Sequence, residues 1–322
     1  MEGDGLMVQQ VTPDNLQRPK APGRGIPARR RFAGSRRGLT GMLLVAPAAI
    51  LIAGLFVVPL VLDGWMSLNN WPLLGQHAFT GLRNYRELFG DGDVRHALLF
   101  TVIFTVVIVP LVFLVGLAMA SFLQHSRPGV AVFRAAVIAP VTIGFATASY
   151  LWLSLIDPGT GIFDRILLDI HVVSKPVNWL STSALALAVV VVLTVWKLAG
   201  FAMIVLINGL QGVPAEVEEA ARIDGARWLR ILWSIKLPLM RRSIVLALVF
   251  VALAGFLSFD QFYILTGGAP DNSTITAVFR IYDTAFVQGN LGYASALSIV
   301  LLVIVLIITG LELALLPKKG DA

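Results

Sequence analysis

A small polar and aromatic cluster interrupts one of the apolar stretches of the chain and comprises Ser258, Asp260, Gln261 and Tyr263. These side chains suit the recognition of a polar ligand that carries hydroxyl groups. The carboxylate accepts hydrogen bonds, the amide donates and accepts them, and the ring offers an apolar face. Polar groups inside membrane spans are costly and usually functional. We therefore expect Asp260, Gln261 and Tyr263 to bind a substrate. The alternative is that Asp260 and Gln261 bond to neighbouring helices or lie at the outer end of the stretch.

A later apolar stretch carries further hydroxyl groups, at Tyr293, Ser295 and Ser298. These side chains can face the same cavity, and Ser295 joins the expected substrate-binding residues. The competing interpretation is that small hydroxyl residues pack helices together in the membrane. Lys197 stands inside another apolar stretch. We expect it to reach a membrane boundary or to pair with a carboxylate rather than to form an ion site.

Residue patterns typical of catalysis are missing from the sequence. It contains no G-x-x-x-x-G-K-[ST] phosphate loop, no H-E-x-x-H and no G-x-S-x-G. Cysteine is absent, and the four histidines are scattered, whereas a catalytic zinc needs three converging ligands. We therefore expect no catalytic residue, no metal site and no cofactor bound by this chain, and a membrane enzyme is unsupported.

The elements that position these residues are long apolar segments. Of the 322 residues, 57% are hydrophobic and 14% are charged, whereas soluble domains have about 45–50% and about 25%. Segments of this length can cross a hydrocarbon core of about 30 Å. The pattern predicts an all-α integral membrane protein with six transmembrane helices. The predicted spans are residues 39–62, 97–123, 131–155, 183–209, 243–266 and 291–316.

The distribution of basic residues predicts how these spans are oriented. With the N-terminus in the cytoplasm, eighteen of the 25 lysines and arginines lie on the cytoplasmic side and six lie in outer loops, as the positive-inside rule requires. Residues 1–38 are expected to form a disordered basic tail, and residues 39–322 the membrane domain. We therefore expect a multi-pass protein of the plasma (inner) membrane with both termini in the cytoplasm. It would contact the lipid bilayer and no nucleic acid.

A charged insert, EEAARIDGARWLRILWSIKLP at residues 218–238, lies between the fourth and fifth predicted spans. Pro214 suits the first position of a helix, and the glutamates after it suit the positive end of the helix dipole. Gly225 can end that helix in the left-handed conformation. The apolar stripe of a second, amphipathic helix consists of Trp228, Ile231, Leu232 and Ile235. The residues alone leave two interpretations open, a docking site for a partner protein and a helix lying on lipid headgroups.

The insert resembles the EAA signature of binding-protein-dependent ABC importer permeases. The match in residues and spacing extends over 20 positions and consists of Glu219-Ala220-Ala221, Gly225, Ile235 and Leu237-Pro238. Three longer segments resemble the carbohydrate-uptake class, specifically its larger maltose-type subunit. They are WKLAGFAMIVLINGLQGVPAEVEEAARIDGA, FDQFYILTGGAPDNST and AFVQGNLGYASALS. Ala269 departs from that class, in which a third glycine is more usual.

The resemblance implies the ABC type I importer permease fold, with a cytoplasmic coupling helix in an EAA loop at residues 210–242. It also implies that one set of residues couples the chain to an ATPase subunit, namely Glu219, Ala220, Ala221, Asp224 and Gly225. The implied partners are a homologous second permease, two ATPase subunits that bind ATP and Mg, and an extracytoplasmic sugar-binding protein.

These expectations combine into one function. The chain would be a transport subunit, not an enzyme, that passes a di- or oligosaccharide into the cytoplasm by alternating access. One alternative is a permease for glycerol phosphate or a related polyol, which is weakly disfavoured because Lys197 is the only base near mid-membrane. Another is a proton-coupled secondary transporter, which needs a titratable relay inside the spans. Asp260 and Glu312 alone support such a relay poorly.

Overall fold

The computed structural model describes residues 34–124 and 128–314, with side chains described from residue 42 onward. Most of the predicted tail, residues 1–33, lies outside the described residues. Two short strands, β1 (Asn69–Asn70) and β2 (Ala78–Phe79), pair antiparallel. The helices are α1 (Gly34–Ile52), α2 (Val58–Met66), α3 (Arg83–Gly90), α4 (Gly92–Leu123), α5 (Val130–Thr142), α6 (Phe145–Leu155), α7 (Ile162–Asp169), α8 (Ser183–Gln211), α9 (Ala215–Ile223), α10 (Trp228–Ile231), α11 (Leu237–Leu239), α12 (Arg241–Phe256), α13 (Asp260–Leu265), α14 (Ala277–Tyr282) and α15 (Leu291–Ala314). Three π-helical turns accompany them, Ala53–Val57, Leu232–Lys236 and Asp283–Val287.

The chain divides into two compact units, one ending at Phe56 and the other beginning at Val57. The described residues of the first unit are helical and comprise α1 and the start of the first π-helical turn. The second unit contains the core, the charged insert and the polar cluster, so the candidate functional residues all belong to one unit.

Several helices are long and apolar enough to cross a membrane. By length and composition these are Met42–Met66, α4, α8 and α15. Two further pairs meet the same criteria only together. One pair is α5 with α6, bent by 104°, and the other is Trp228–Leu239 with α12, bent by 80°. The described residues therefore hold four to six candidate spans in an all-helical membrane architecture.

Two predicted spans differ from the structure in detail. Residues 131–155 were expected to form one helix but contain the sharp bend between α5 and α6. The stretch 243–266 was also expected to be one helix, yet α12 ends at Phe256 and α13 is a separate short helix. Both interruptions bear on the candidate site, because residues at each break line the same pocket.

The core of the second unit forms where α4, α8 and α12 pack together. Small residues allow this close approach, as is common between membrane helices. A Cβ on Gly116 of α4 would lie 2.8 Å from the Cβ of Ala202, and one on Gly255 of α12 would lie 2.7 Å from Oγ1 of Thr105. The buried centre includes Phe104, Ile108, Val190, Leu193 and Phe262. The shorter, broken helices pack on this core.

The break after α12 is stabilised by hydroxyl groups. Oγ1 of Thr276 donates to the carbonyl of Ser258 at 2.7 Å, and Oγ of Ser258 donates to the carbonyl of Ala254 at 2.9 Å. These bonds replace helical ones that the break removes. A new helix then begins at Asp260, so Asp260 and Gln261 lie in the first turn of α13.

Candidate functional site

The front of the charged insert folds as a short helix ended by a glycine turn. Pro214 precedes the helix as its N-cap rather than occupying its first position. Gly225 adopts the predicted left-handed conformation with φ of 77°. The N–H of Ala226 then donates to the carbonyl of Ala221 at 2.9 Å, which satisfies a carbonyl left free at the helix end. Glycine is required here because a side chain would strain this backbone.

One face of α9 is open to its surroundings. Glu216, Glu219, Ala220 and Ile223 lie on this face at helical spacing, and Ile223 is 86% exposed. The face thus presents two carboxylates, one small side chain and one large apolar side chain. We call these four residues the open face.

The predicted coupling residues do not share one environment. Glu219, Ala220, Asp224 and Gly225 are exposed, whereas Ala221 is buried against the chain itself. The structure thus brings four of the five to the surface at α9 and its turn. Their role in coupling stays a prediction, and the exposed Ile223 joins them as a residue that sequence reasoning did not select.

A salt-bridge network ties α9 to the second half of the insert. Glu218 forms salt bridges of 2.7 Å with Arg222 and of 2.7 Å with Lys236. The first is the predicted i,i+4 pair. The second was missed, because Lys236 lies eighteen positions away along the chain. The bond from Lys236 and the charge of Arg222 outweigh burial and lower the pKa of the Glu218 carboxyl below its usual value.

Replacement of Glu218 by glutamine is expected to destabilise the insert in a pH-dependent way. Because the folded-state pKa is lowered, the stabilisation is present above the unfolded-state pKa and is lost as the pH falls through the folded-state value. Screening at this partly exposed site limits the effect to about 1 kcal/mol, or about 2–4 °C in Tm. Thermal unfolding of the purified chain should show this difference at pH 7 and not under acid conditions. Glu216→Gln is the matched control, and an equal, pH-independent shift in both variants would contradict the assignment.

The second half of the insert packs back against the membrane helices. Ile231 and Leu232 are buried and Ile235 is half-buried, as the predicted apolar stripe requires, but Trp228 is 50% exposed. Leu232 packs in a cluster that includes residues of α4, α8 and α12, among them Leu117, Leu206, Leu210 and Ala247. The second half of the insert therefore packs directly onto the core helices.

The polar cluster contributes to a pocket of about 210 Å³ at the break between α12 and α13. Its lining residues are Phe145, Ala254, Leu257, Ser258, Phe259, Asp260 and Gln261. Only 2% of Gln261 is exposed, and its Nε2 has no hydrogen-bond partner among the described residues. A buried amide without a partner is rare in folded proteins and needs an explanation. A ligand with hydroxyl groups in this pocket would supply one.

The other two predicted substrate residues lie apart from this pocket. Tyr263 is 43% exposed and stacks on Phe259, with Tyr282 and Phe279 against its edge. Ser295 is buried in α15 and does not line the pocket. The structure thus brings Asp260 and Gln261 together and leaves Tyr263 and Ser295 outside, and all four roles stay predictions. Phe145 completes the pocket wall. It was missed because it is 115 positions from Asp260.

A separate network joins the starts of α4 and α15 to the last turn of α14. The hydroxyl of Tyr293 donates to Asp91 at 2.7 Å, and Arg280 bridges Asp93 and Asp283. Burial opposes ionisation of Asp91, but the bond from Tyr293 and backbone N–H groups outweigh it and lower the pKa of its carboxyl. Tyr293 therefore stabilises the helix starts rather than facing the cavity with Ser295.

The structure does not show the carboxylate partner expected for Lys197. Its side chain forms no salt bridge among residues 34–124 and 128–314. It is buried and donates to backbone carbonyls of the bent third span. No group of three or more His, Asp or Glu side chains that could hold a metal occurs in the described part of the chain.

Apolar spans, an exposed charged insert and a polar pocket at a helix break together define an integral membrane transport subunit. The profile of the family described as "Binding-protein-dependent transport system inner membrane component" matches residues 89–320. The chain therefore belongs to this family, and it is a multi-pass membrane permease component.

Curated relatives cover most of the chain and most of their own length. The trehalose/maltose transport system permease protein MalF of Thermococcus litoralis is 32% identical over 275 residues, which are 85% of this chain and 92% of that protein. The trehalose transport system permease protein SugA of Mycobacterium tuberculosis is 36% identical over 261 residues, or 80% and 82%. The sn-glycerol-3-phosphate transport system permease protein UgpA of Brucella abortus is 31% identical over 278 residues, or 86% and 94%.

A solved structure has the same fold. It is a chain from the crystal structure of a bacterial alginate ABC transporter in complex with an alginate pentasaccharide-bound periplasmic protein. The TM-score is 0.76 at 18% identity, over 86% of this chain and 93% of that chain. At this identity the likeness supports the fold alone.

Proposed function

We propose that this chain is the permease subunit of an ATP-driven ABC importer that passes a sugar, a di- or oligosaccharide, into the cytoplasm by alternating access. The observation that carries the proposal is the insert. Its EAA-like spacing folds into a helix with an open face, and its second half packs onto the core helices. Relatives whose names specify trehalose, maltose and multiple sugars support the substrate class.

The proposed topology counts each bent pair as one span, which gives six. Both termini then lie in the cytoplasm, and the coupling helix α9 lies there between the fourth and fifth spans. The excess of lysine and arginine on that side supports this orientation. The open face of α9 would then meet a cytoplasmic partner rather than lipid, because its two glutamates are poorly suited to anionic headgroups.

The proposed assembly contains a homologous second permease, two ATPase subunits and an extracytoplasmic sugar-binding protein. ATP and Mg would bind to the ATPase subunits, which fits a sequence without a phosphate loop. Glu219 would make the main polar contact with an ATPase subunit, and Ala220 would permit close approach. The turn at Gly225 would transmit the movement to the second half of the insert.

Asp260 and Gln261 are the proposed substrate contacts, in the pocket completed by Phe145. A carboxylate and an amide can match sugar hydroxyls, and the ring can cover an apolar sugar face. Tyr263 and Ser295 remain proposed contacts only for a state of the transport cycle in which the helices are rearranged.

The second candidate is a permease for glycerol phosphate or a related polyol, supported by relatives with that name. The pocket disfavours it, because its lining includes the carboxylate of Asp260 and no basic side chain. Phosphate is normally bound by Arg or Lys side chains, and the Asp260 carboxylate would repel it at the start of α13. We expect that excess glycerol phosphate will not inhibit the uptake of a labelled disaccharide.

Removal of cellular ATP, with the proton gradient preserved, is expected to reduce sugar uptake to the level of cells lacking the chain. Collapse of the gradient with ATP maintained should leave uptake in place. Labelled sugar accumulated by intact cells is the measurement. Uptake that persists without ATP and disappears with the gradient would instead establish a proton-coupled transporter and exclude the proposal.

A further inference from the structure

A buried lysine stands at the centre of the helix that carries it. Lys197 is the middle residue of the 29-residue helix α8, and 4% of it is exposed. None of the salt bridges within the described ranges involves it. A cation in the middle of a membrane-spanning helix is costly unless its charge is compensated. The groups around its ammonium therefore indicate what the residue does.

Backbone carbonyls and an aromatic ring compensate this ammonium group. Its Nζ donates to the carbonyl oxygen of Pro140 at 2.9 Å and also to that of Ile143. The same nitrogen lies 4.8 Å from the centroid of the Phe145 ring, which is within the range of a cation–π interaction. All three partners belong to the junction where α5 ends and α6 begins.

The carbonyls need a donor because regular helical bonding stops at the junction. Because α5 and α6 lie at 104° to each other, the N–H groups four residues ahead cannot bond to the last carbonyls of α5 as they would in a continuous helix. Unsatisfied backbone groups are costly inside a membrane. Oγ1 of Thr142 donates to the carbonyl of Ala139 at 2.7 Å, and Lys197 serves Pro140 and Ile143. Side chains thus hold the bend.

The bend is also fixed to the candidate pocket. On α8, Gly200 lies one turn from Lys197, and a Cβ there would overlap the carbonyl oxygen of Val137 in α5. On the other side of the junction, Phe145 lines the pocket with Asp260 and Gln261. The position of Phe145 therefore depends on the bend, and the bend is held from α8.

We propose that Lys197 is a positioning residue, a tethered cation that holds the bent α5–α6 pair and, through it, the Phe145 wall of the substrate pocket. In transporters with discontinuous helices, free carbonyls and helix C-terminal ends coordinate a Na⁺ or H⁺ from solution. Here an ammonium attached to the chain occupies such carbonyls, so the bend requires no dissolved ion. The effect on sugar binding rests on the proposed function, whereas the effect on the bend does not.

Spin-label distances across the bend test the proposal on the purified full-length chain. The sequence has no cysteine, so Val132→Cys and Tyr150→Cys place one label on each limb, at side chains 72% and 63% exposed. The wild-type pair should give a narrow distance distribution. Lys197→Met, which removes the charge and keeps the length, should shift or broaden it. An unchanged distribution in Lys197→Met would overturn the proposal.

Chemical rescue distinguishes the effect of the positive charge at Lys197 from the effect of side-chain volume. Lys197→Ala leaves space for three carbons and the nitrogen, which propylammonium matches. Propylammonium at millimolar concentration should restore the narrow distribution, whereas 1-propanol, neutral and of similar size, should not. Equal restoration by both would overturn the role of the charge.

If Lys197→Met does not accumulate, Lys197→Arg and Lys197→Gln replace it. The Lys197→Arg variant should retain the wild-type label distance, and the Lys197→Gln variant should not. A wild-type label distance in Lys197→Gln would refute the proposal.

Transport kinetics test the link to the pocket in the assembled importer. Lys197→Met should raise the KM for sugar by about tenfold, which corresponds to about 1.4 kcal/mol of lost binding free energy, and change the maximal rate less. Phe145→Leu should raise KM similarly, because it removes the aromatic ring from the pocket wall. A KM unaffected by either change would overturn the positioning role. If the wild-type importer takes up no sugar, the proposed function fails, and the label distances still decide the role of Lys197 in the bend.

Discussion

Glu219→Lys is expected to abolish both association with the ATPase subunits and sugar uptake. Glu219 lies on the open face of α9, one turn from Ile223, which is 86% exposed. In a docked interface this carboxylate would be desolvated against the partner, and reversing its charge would create an unpaired like-charge contact. Such changes at desolvated interface charges cost about 2–5 kcal/mol or more. That cost corresponds to a loss of affinity of roughly 30-fold or greater.

Co-purification of ATPase subunits with the tagged permease, together with uptake in the same cells, measures this prediction. Asp169→Lys is the matched control, because it makes the same charge change at an exposed position in α7. The permease should be present in the membrane in equal amounts for both variants. Intact association and uptake in Glu219→Lys would refute the docking role of α9.

The insert could be predicted in outline because its signals are local. Glutamates in the first turns, Gly225 and the apolar repeat of the second helix all act within a few residues, and the helix, turn and buried Ile231 follow from them. The salt bridge between Glu218 and Lys236 could not be predicted in the same way. It exists because the glycine turn folds one half of the insert onto the other.

The bends could not be predicted, and two prolines show why. Pro110 lies inside α4, which continues unbroken for 32 residues, whereas Pro140 lies near the sharp junction between α5 and α6. A proline interrupts helical bonding in both cases. The outcome depends on which neighbours satisfy the freed carbonyls. At the junction a donor arrives from α8, and nothing within α5 encodes it.

Gln261→Leu is expected to raise the KM for sugar by about 5- to 150-fold. This range corresponds to the roughly 1–3 kcal/mol that it costs to leave a buried hydrogen-bonding group without its partner. Gln261 is 2% exposed, and its Nε2 has no partner among the described residues. Without a ligand this amide carries an uncompensated desolvation cost. A sugar hydroxyl in the pocket would accept a hydrogen bond from this Nε2. Leucine is similar in size but has no group that can donate one.

The same argument predicts that Gln261→Leu stabilises the empty chain. Replacing an unpartnered buried amide by an apolar group removes a desolvation cost, so Tm should rise while uptake weakens. The competing interpretation, that Gln261 serves only to bond neighbouring helices, predicts a lower Tm. Thr284→Val is the matched control, because Oγ1 of Thr284 is likewise buried without a described partner and lies outside this pocket. The Thr284→Val variant should raise Tm and leave KM unchanged. A rise in both Tm and KM that occurs only in Gln261→Leu would assign the Gln261 amide to substrate binding.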